Sequence, residues 1–149
     1  MKFVSFLLKG QPKFGISDGN NITDLTGKIK GAQTLKELIS NKSLQEAKDF
    51  SKKNPGKINH NEIEYLPVIP NPGKIVCVGL NYSEHVKETG RTVEQNPVIF
   101  LRVPESQTAH KQPIQRPKVS ESLDYECEMA VIMGDAGKHI KPENALKPV

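Results

Sequence analysis

Lys74-Ile75-Val76-Cys77-Val78-Gly79-Leu80-Asn81-Tyr82-Ser83-Glu84-His85 decides how the rest of this chain is read. Lys74 to Gly79 is a largely apolar, β-branched run closed by glycine, the pattern of a buried strand. The chain turns polar at Asn81, and the pattern predicts a short helix starting near Ser83. On that helix His85 and Glu88 are three residues apart and share a face. A carboxylate beside an imidazole orients the ring and raises its basicity, as a general base requires. Taken alone, His-x-x-Glu is more often a surface ion pair.

Downstream, Pro97-Val98-Ile99-Phe100-Leu101 predicts a second buried strand, and Leu123 to Met133 a third, long enough to cross a sheet. The third run opens with Asp124-Tyr125-Glu126-Cys127-Glu128. On a strand, Glu126 and Glu128 point the same way, their Cα atoms about 6.6 Å apart. Two carboxylates at that separation can converge on one cation, and oxygen ligands suit Mg²⁺, Mn²⁺ or Ca²⁺ rather than Zn²⁺. Asp124 shares the face but lies roughly 13 Å from Glu128. An isolated Glu-x-Glu is more often a solvated acidic stripe, yet a strand apolar on both faces needs a reason to carry like charges.

Upstream, residues 1 to about 66 read as a small α+β module. Phe3 to Leu8 and Phe14-Gly15-Ile16 are strand-like, and Ser17 to Asn21 is a turn before a return strand carrying Ile22 and Leu25. Thr34-Leu35-Lys36-Glu37 has the form of a capping box, and Ser43-Leu44-Gln45-Glu46 repeats it. Two helices are expected, near 34–40 and 43–52, the second ended by Asn54-Pro55-Gly56. Pro67, Pro70 and Pro72 mark a linker. The division is therefore 1–66 and 67–149, and the second part reads as mainly β.

Composition narrows the function classes. The 149 residues include 36% hydrophobic and 26% charged side chains, with eleven Pro and eleven Gly. That is too apolar and too balanced for disorder, and too rich in turn residues for a helical bundle. No apolar run approaches a membrane span, and the N-terminal apolar stretch is too short for a signal peptide, so a cytoplasmic location is expected. The net charge is +4, but 21 basic residues are scattered among 17 acidic ones, which argues against a nucleic-acid partner. Cys77 and Cys127 lack the spacing of a zinc site.

Together the motifs resemble the fumarylacetoacetate hydrolase family. Lys74 to His85 closely resembles its Gly-x-Asn-Tyr-x-x-His signature. Pro97 to Arg102, Gln112-Pro113-Ile114 and Leu123 to Ile132 follow in the family's order and spacing. The likeness covers about residues 66–147, and the first 65 are more loosely similar to the small N-terminal domain of many bacterial members.

The resemblance implies a mainly β (α+β) chain, with a small N-terminal domain followed by part of a mixed β-sandwich roll, usually a homodimer. It implies Glu126 and Glu128 as ligands of Mg²⁺ (or Mn²⁺, Ca²⁺), and His85 with Glu88 as a water-activating dyad. Tyr82 and Arg102 would bind substrate. The segment Glu84 to Asn96 would form a lid, with Gly90 as its hinge. Substrates are 2-oxo acids and acylpyruvates, and carbon–carbon bond hydrolysis through a metal-stabilised enolate is the leading expectation. Isomerisation or decarboxylation is the alternative, as is a truncated non-catalytic homologue acting through dimerisation.

Two departures stand out. Many members have Lys where this chain has Arg102, so a planar fork replaces a point donor. The family's third metal ligand lies in a Gly-Tyr…Asn-Asp-Val stretch beyond Val149, so the chain is expected to be the first part of a longer enzyme, weak in metal binding and nearly inactive. Asp135 is the nearby acid that could substitute.

Overall fold

The computed structural model describes residues 1–92 and 96–149. They form two compact units, Met1–Ile69 with Thr108–Val149, and Pro70–Gln107.

The first unit is built on a five-stranded sheet of β1 (Lys2–Leu8), β2 (Gln11–Ser17), β3 (Asn21–Asp24), β4 (Ile58–Asn59) and β5 (Ile63–Tyr65). The spatial order is β4-β3-β2-β1-β5, every pair antiparallel. Lys9 and Gly10, both at positive φ, turn β1 into β2 with Leu8 opposite Gln11. Such a two-residue turn matches the right-handed twist of the strands. At the next turn Asp18 Oδ1 accepts the N–H groups of Asn20 and Asn21, each at 2.8 Å. These hydrogen bonds, Asn21's first, hold the Asp18 carboxyl below its ordinary pKa.

The sheet must curl. The chain leaves β4 at Asn59 and enters β5 at Ile63, at opposite edges. Four Cα steps reach at most about 15 Å, whereas the edges of a flat five-stranded sheet stand about 19 Å apart. His60 fastens that crossing. Its Nε2 lies 3.0 Å from Ser17 Oγ on β2, and its Nδ1 lies 2.6 Å from the Tyr65 hydroxyl on β5.

Two helices cover the core, α1 (Leu35–Ser40) and α2 (Leu44–Lys53), close to the predicted ranges. The capping box at Thr34 forms as expected. Thr34 Oγ1 accepts the Glu37 N–H at 3.2 Å, and Glu37 Oε2 accepts those of Thr34 and Gln33 at 3.0 and 2.7 Å. The second expected box does not form. The Ser43 N–H donates to Leu38 O, and that of Lys42, at φ 56°, to Ile39 O. This left-handed closure of α1 takes Ser43 out of the extended conformation that an N-cap side chain needs. Phe14, Ile16, Leu25, Ile29, Ala32, Leu35, Leu38 and Ala47 make the core. Full burial of a Phe or Leu contributes roughly 1.5–3 kcal/mol.

In the second unit β6 (Ile75–Gly79) and β7 (Val98–Arg102) pair antiparallel, with Ile75 opposite Arg102 and Gly79 opposite Val98. Between them lies α3 (Ser83–Glu88). Both strands fall where the apolar runs predicted them, but they are not buried. Every residue of β7 is exposed, and Leu101 is 69% accessible. A two-stranded ladder has no second layer in its own unit to cover its faces.

The third predicted strand is absent. Leu123 to Met133 lies outside any strand or helix, with Tyr125 87% and Met129 80% accessible. A strand is stabilised by its ladder and by burial, and among the described residues no neighbouring strand supplies either to this run.

Candidate functional site

Local backbone geometry sets His85 and Glu88. β6 ends at Gly79, and Leu80 adopts φ 56°, a left-handed conformation uncommon outside glycine. The sharp turn redirects the chain through Asn81 into α3, with Tyr82 as its N-cap residue. Val86 is 3% accessible and anchors the helix, leaving the His85 and Glu88 side chains 38% and 77% exposed. Lys87 Nζ and Glu84 Oε1 pair at 2.7 Å along the outer face.

The helix stops at Gly90, φ 67°, where the Gly90 N–H donates to Lys87 O and the Arg91 N–H to Val86 O. Glycine is the natural residue here because the left-handed conformation costs it nothing. Gly90 therefore acts in this structure as a helix stop. The lid expected over Glu84 to Asn96 includes residues 93–95, which lie outside the described residues.

The predicted pair comes together. His85 Nδ1 stands 3.8 Å from Glu88 Oε2, an ion-pair separation longer than a hydrogen bond. Tyr82 is 42% accessible at the mouth of the helix. Arg102 is at the opposite end of the β6–β7 ladder, facing Ile75, about 13 Å along the strand from the Gly79 end.

Its guanidinium is already engaged: Nε donates to Ser106 Oγ and Nη2 to Ser106 O, both at 3.2 Å. Ser106 is not among the residues that the sequence singles out. Its only signal is a serine four residues after an arginine, with Pro104 between them to set a turn.

The predicted metal ligands lie outside regular secondary structure. Glu126 and Glu128 are exposed and lie in the irregular 123–133 segment. Among the described residues no group of three or more His, Cys, Asp or Glu side chains could hold a metal ion. Asp135, the suggested substitute, pairs with Lys42 Nζ at 3.0 Å. In kind, two carboxylates fit Mg²⁺, which commonly takes one or two and keeps several waters.

The segment carrying all six candidate residues, 74–149, matches the family model described as Fumarylacetoacetate (FAA) hydrolase C-terminal. This chain belongs to the fumarylacetoacetate hydrolase family. A relative named oxaloacetate tautomerase fahd2, mitochondrial, from Xenopus laevis is 34% identical over 100% of this chain and 49% of its own length. Human oxaloacetate tautomerase FAHD2A, mitochondrial, is 38% identical over 59% of this chain and 28% of its own length. The chain thus spans about half or less of these curated relatives.

A crystal structure of an HpcE-type protein from Mycobacterium smegmatis superposes with a TM-score of 0.68, at 18% identity. The match covers 99% of this chain and 51% of that one. The shared fold therefore extends over the N-terminal residues as well, and the mainly β architecture with few helices agrees with it. The activity these relatives are named for, tautomerisation, is an isomerisation.

Proposed function

We propose that this protein is an enzyme that interconverts the keto and enol forms of a 2-oxo dicarboxylic acid of the oxaloacetate type. The reading is carried by the His85–Glu88 pair at 3.8 Å, set within the family-matched segment. The tautomerase names of the relatives narrow the substrate.

Glu88 facing Nδ1 favours the tautomer with the proton on that nitrogen and leaves the Nε2 lone pair as the base. In the keto-to-enol direction His85 Nε2 takes a proton from C3, and the electron pair moves onto the C2 oxygen, which is then protonated. In the reverse direction the proton returns to C3. Arg102 pairs with a substrate carboxylate, and the Tyr82 hydroxyl donates to a substrate oxygen. A divalent cation on Glu126 and Glu128 would supply positive charge to the 2-oxo oxygen and acidify the neighbouring carbon. In this reading residues 1–66 are the small N-terminal domain, 67–149 contribute to the catalytic domain, and the protein works as a homodimer.

Hydrolysis of an acylpyruvate is the second reading, favoured by the family model's description as a hydrolase. The same dyad would then take a proton from water. Decay of the oxaloacetate enol absorbance, followed beside cleavage of an acylpyruvate in the polypeptide that carries this chain, separates the two. Faster enol decay with no acylpyruvate cleavage supports the tautomerase. The opposite pattern assigns the hydrolase. For the cation, Mg²⁺ titration should weaken in both Glu126→Ala and Glu128→Ala, and unchanged affinity in both would remove those residues from the site.

A further inference from the structure

Ser106 does more for Arg102 than lie beside it. A serine hydroxyl has one proton and two acceptor lone pairs. The proton is committed, because Ser106 Oγ donates to Val103 O at 2.7 Å. The lone pairs therefore turn outward, and one accepts the Arg102 Nε–H at 3.2 Å. The Ser106 carbonyl accepts from Arg102 Nη2, also at 3.2 Å, so one residue grips the guanidinium at two points. The grip is itself held. Pro104 presets the turn, and the Ser106 N–H donates to Val103 O at 3.0 Å. Two of the five guanidinium N–H bonds are engaged in this way. The other three, both on Nη1 and one on Nη2, form a fixed planar edge.

We infer that Ser106 is a positioning residue that aims the remaining N–H edge of Arg102 at a planar carboxylate, so that the site selects two-oxygen groups that can be gripped bidentately. The inference rests on the reading of Arg102 as the substrate's carboxylate partner. It also gives the arginine at this position a physical reason. A lysine has a single nitrogen at its tip and no planar fork, so the same serine could not fix its orientation.

Oxalate, a planar dicarboxylate, is the probe. Its affinity by calorimetry in the presence of Mg²⁺ should fall about 3- to 10-fold in Ser106→Ala, the scale of one hydrogen bond. Ser106→Thr, which keeps both acceptors, should restore it. In an Arg102→Lys background Ser106→Ala should change nothing further. Side-chain ¹⁵N relaxation should show the Arg102 Nε–H rigid in the parent and in Ser106→Thr, and mobile in Ser106→Ala.

If Arg102→Ala weakens oxalate binding but Ser106→Ala does not, the positioning role is overturned and the reading of Arg102 stands. An equal Ser106→Ala effect in the parent and in the Arg102→Lys background also overturns it, by showing a general structural role. If the parent does not bind oxalate, or Arg102→Ala binds it unchanged, the reading of Arg102 fails and the inference falls with it.

Discussion

His85 Nδ1 and Glu88 Oε2 face each other across one turn of α3, 3.8 Å apart. That is close enough for the carboxylate to orient the ring and still short of a formed hydrogen bond. Catalytic hydrogen bonds are often long without substrate and tighten in the productive complex.

Removing the base should therefore cost more than removing its orienter. His85→Asn is expected to lower the proposed enolisation rate by about 10²- to 10⁴-fold, and Glu88→Gln by less. Enol absorbance decay measures both. A His85→Asn variant at the parent rate would take the proton transfer away from this pair.

The Thr34–Glu37 box closes the start of α1 with two reciprocal hydrogen bonds. Thr34→Ala should destabilise the protein by about 1 kcal/mol, with Ser and Asp replacements restoring most of it. Ser43→Ala, at the start of α2, should change little, because the Ser43 side chain makes no capping bond. Urea midpoints of these variants test the contrast.

Stability should decline in acid through carboxylates whose pKa lies below the ordinary value. Burial of Asp24 would raise its pKa, but Lys13 Nζ at 2.6 Å and the Thr26 N–H outweigh it, and the net direction is down. Glu37 is lowered chiefly by the Gln33 N–H, and Asp18 by the Asn21 N–H. A depressed folded-state pKa stabilises above the unfolded value and is lost as pH falls through the folded one. The urea midpoint should thus be flat near neutrality and drop below about pH 4. Asp24→Asn should flatten part of that drop.

Two glycines differ sharply in what surrounds them. A Cβ on Gly56 would collide with the Ile22 backbone and the Thr23 nitrogen, whereas Gly73 has nothing within 4 Å. Gly56→Ala is expected to destabilise by about 1–3 kcal/mol, the scale of overpacking. Gly73→Ala should be near neutral. Equal melting temperatures for the two variants would contradict the close approach.

Lys42 occupies the left-handed position that ends α1, at φ 56°. Left-handed backbone costs an L-residue about 1–2 kcal/mol, against about 0.5–1 kcal/mol of extra chain entropy for glycine. Lys42→Gly should therefore stabilise by about 0.5–1 kcal/mol. The lost Lys42–Asp135 pair, 72% and 48% exposed, subtracts little. Differential scanning calorimetry shows the sign.

Some of this molecule could be read from local chemistry alone. The helices α1 to α3, the Thr34 cap, β1 to β3, β6, β7 and the His85–Glu88 pair depend on spacing, propensity and hydrogen bonds within a few residues, all of which a sequence displays. The hairpin at Lys9-Gly10 is not among the predicted turns, although its glycine carries the signal. Other features depend on residues distant in the chain. His60 joins Ser17 to Tyr65 because the sheet curls. The Leu123–Met133 run forms no strand because apolar alternation creates only a capacity to pair, and pairing takes a neighbour. The predicted burial of β7 is not met for the same reason. Local order is written residue by residue, whereas ladders and burial exist only between segments, so only the tertiary structure decided which predicted strands became strands and which of them were covered.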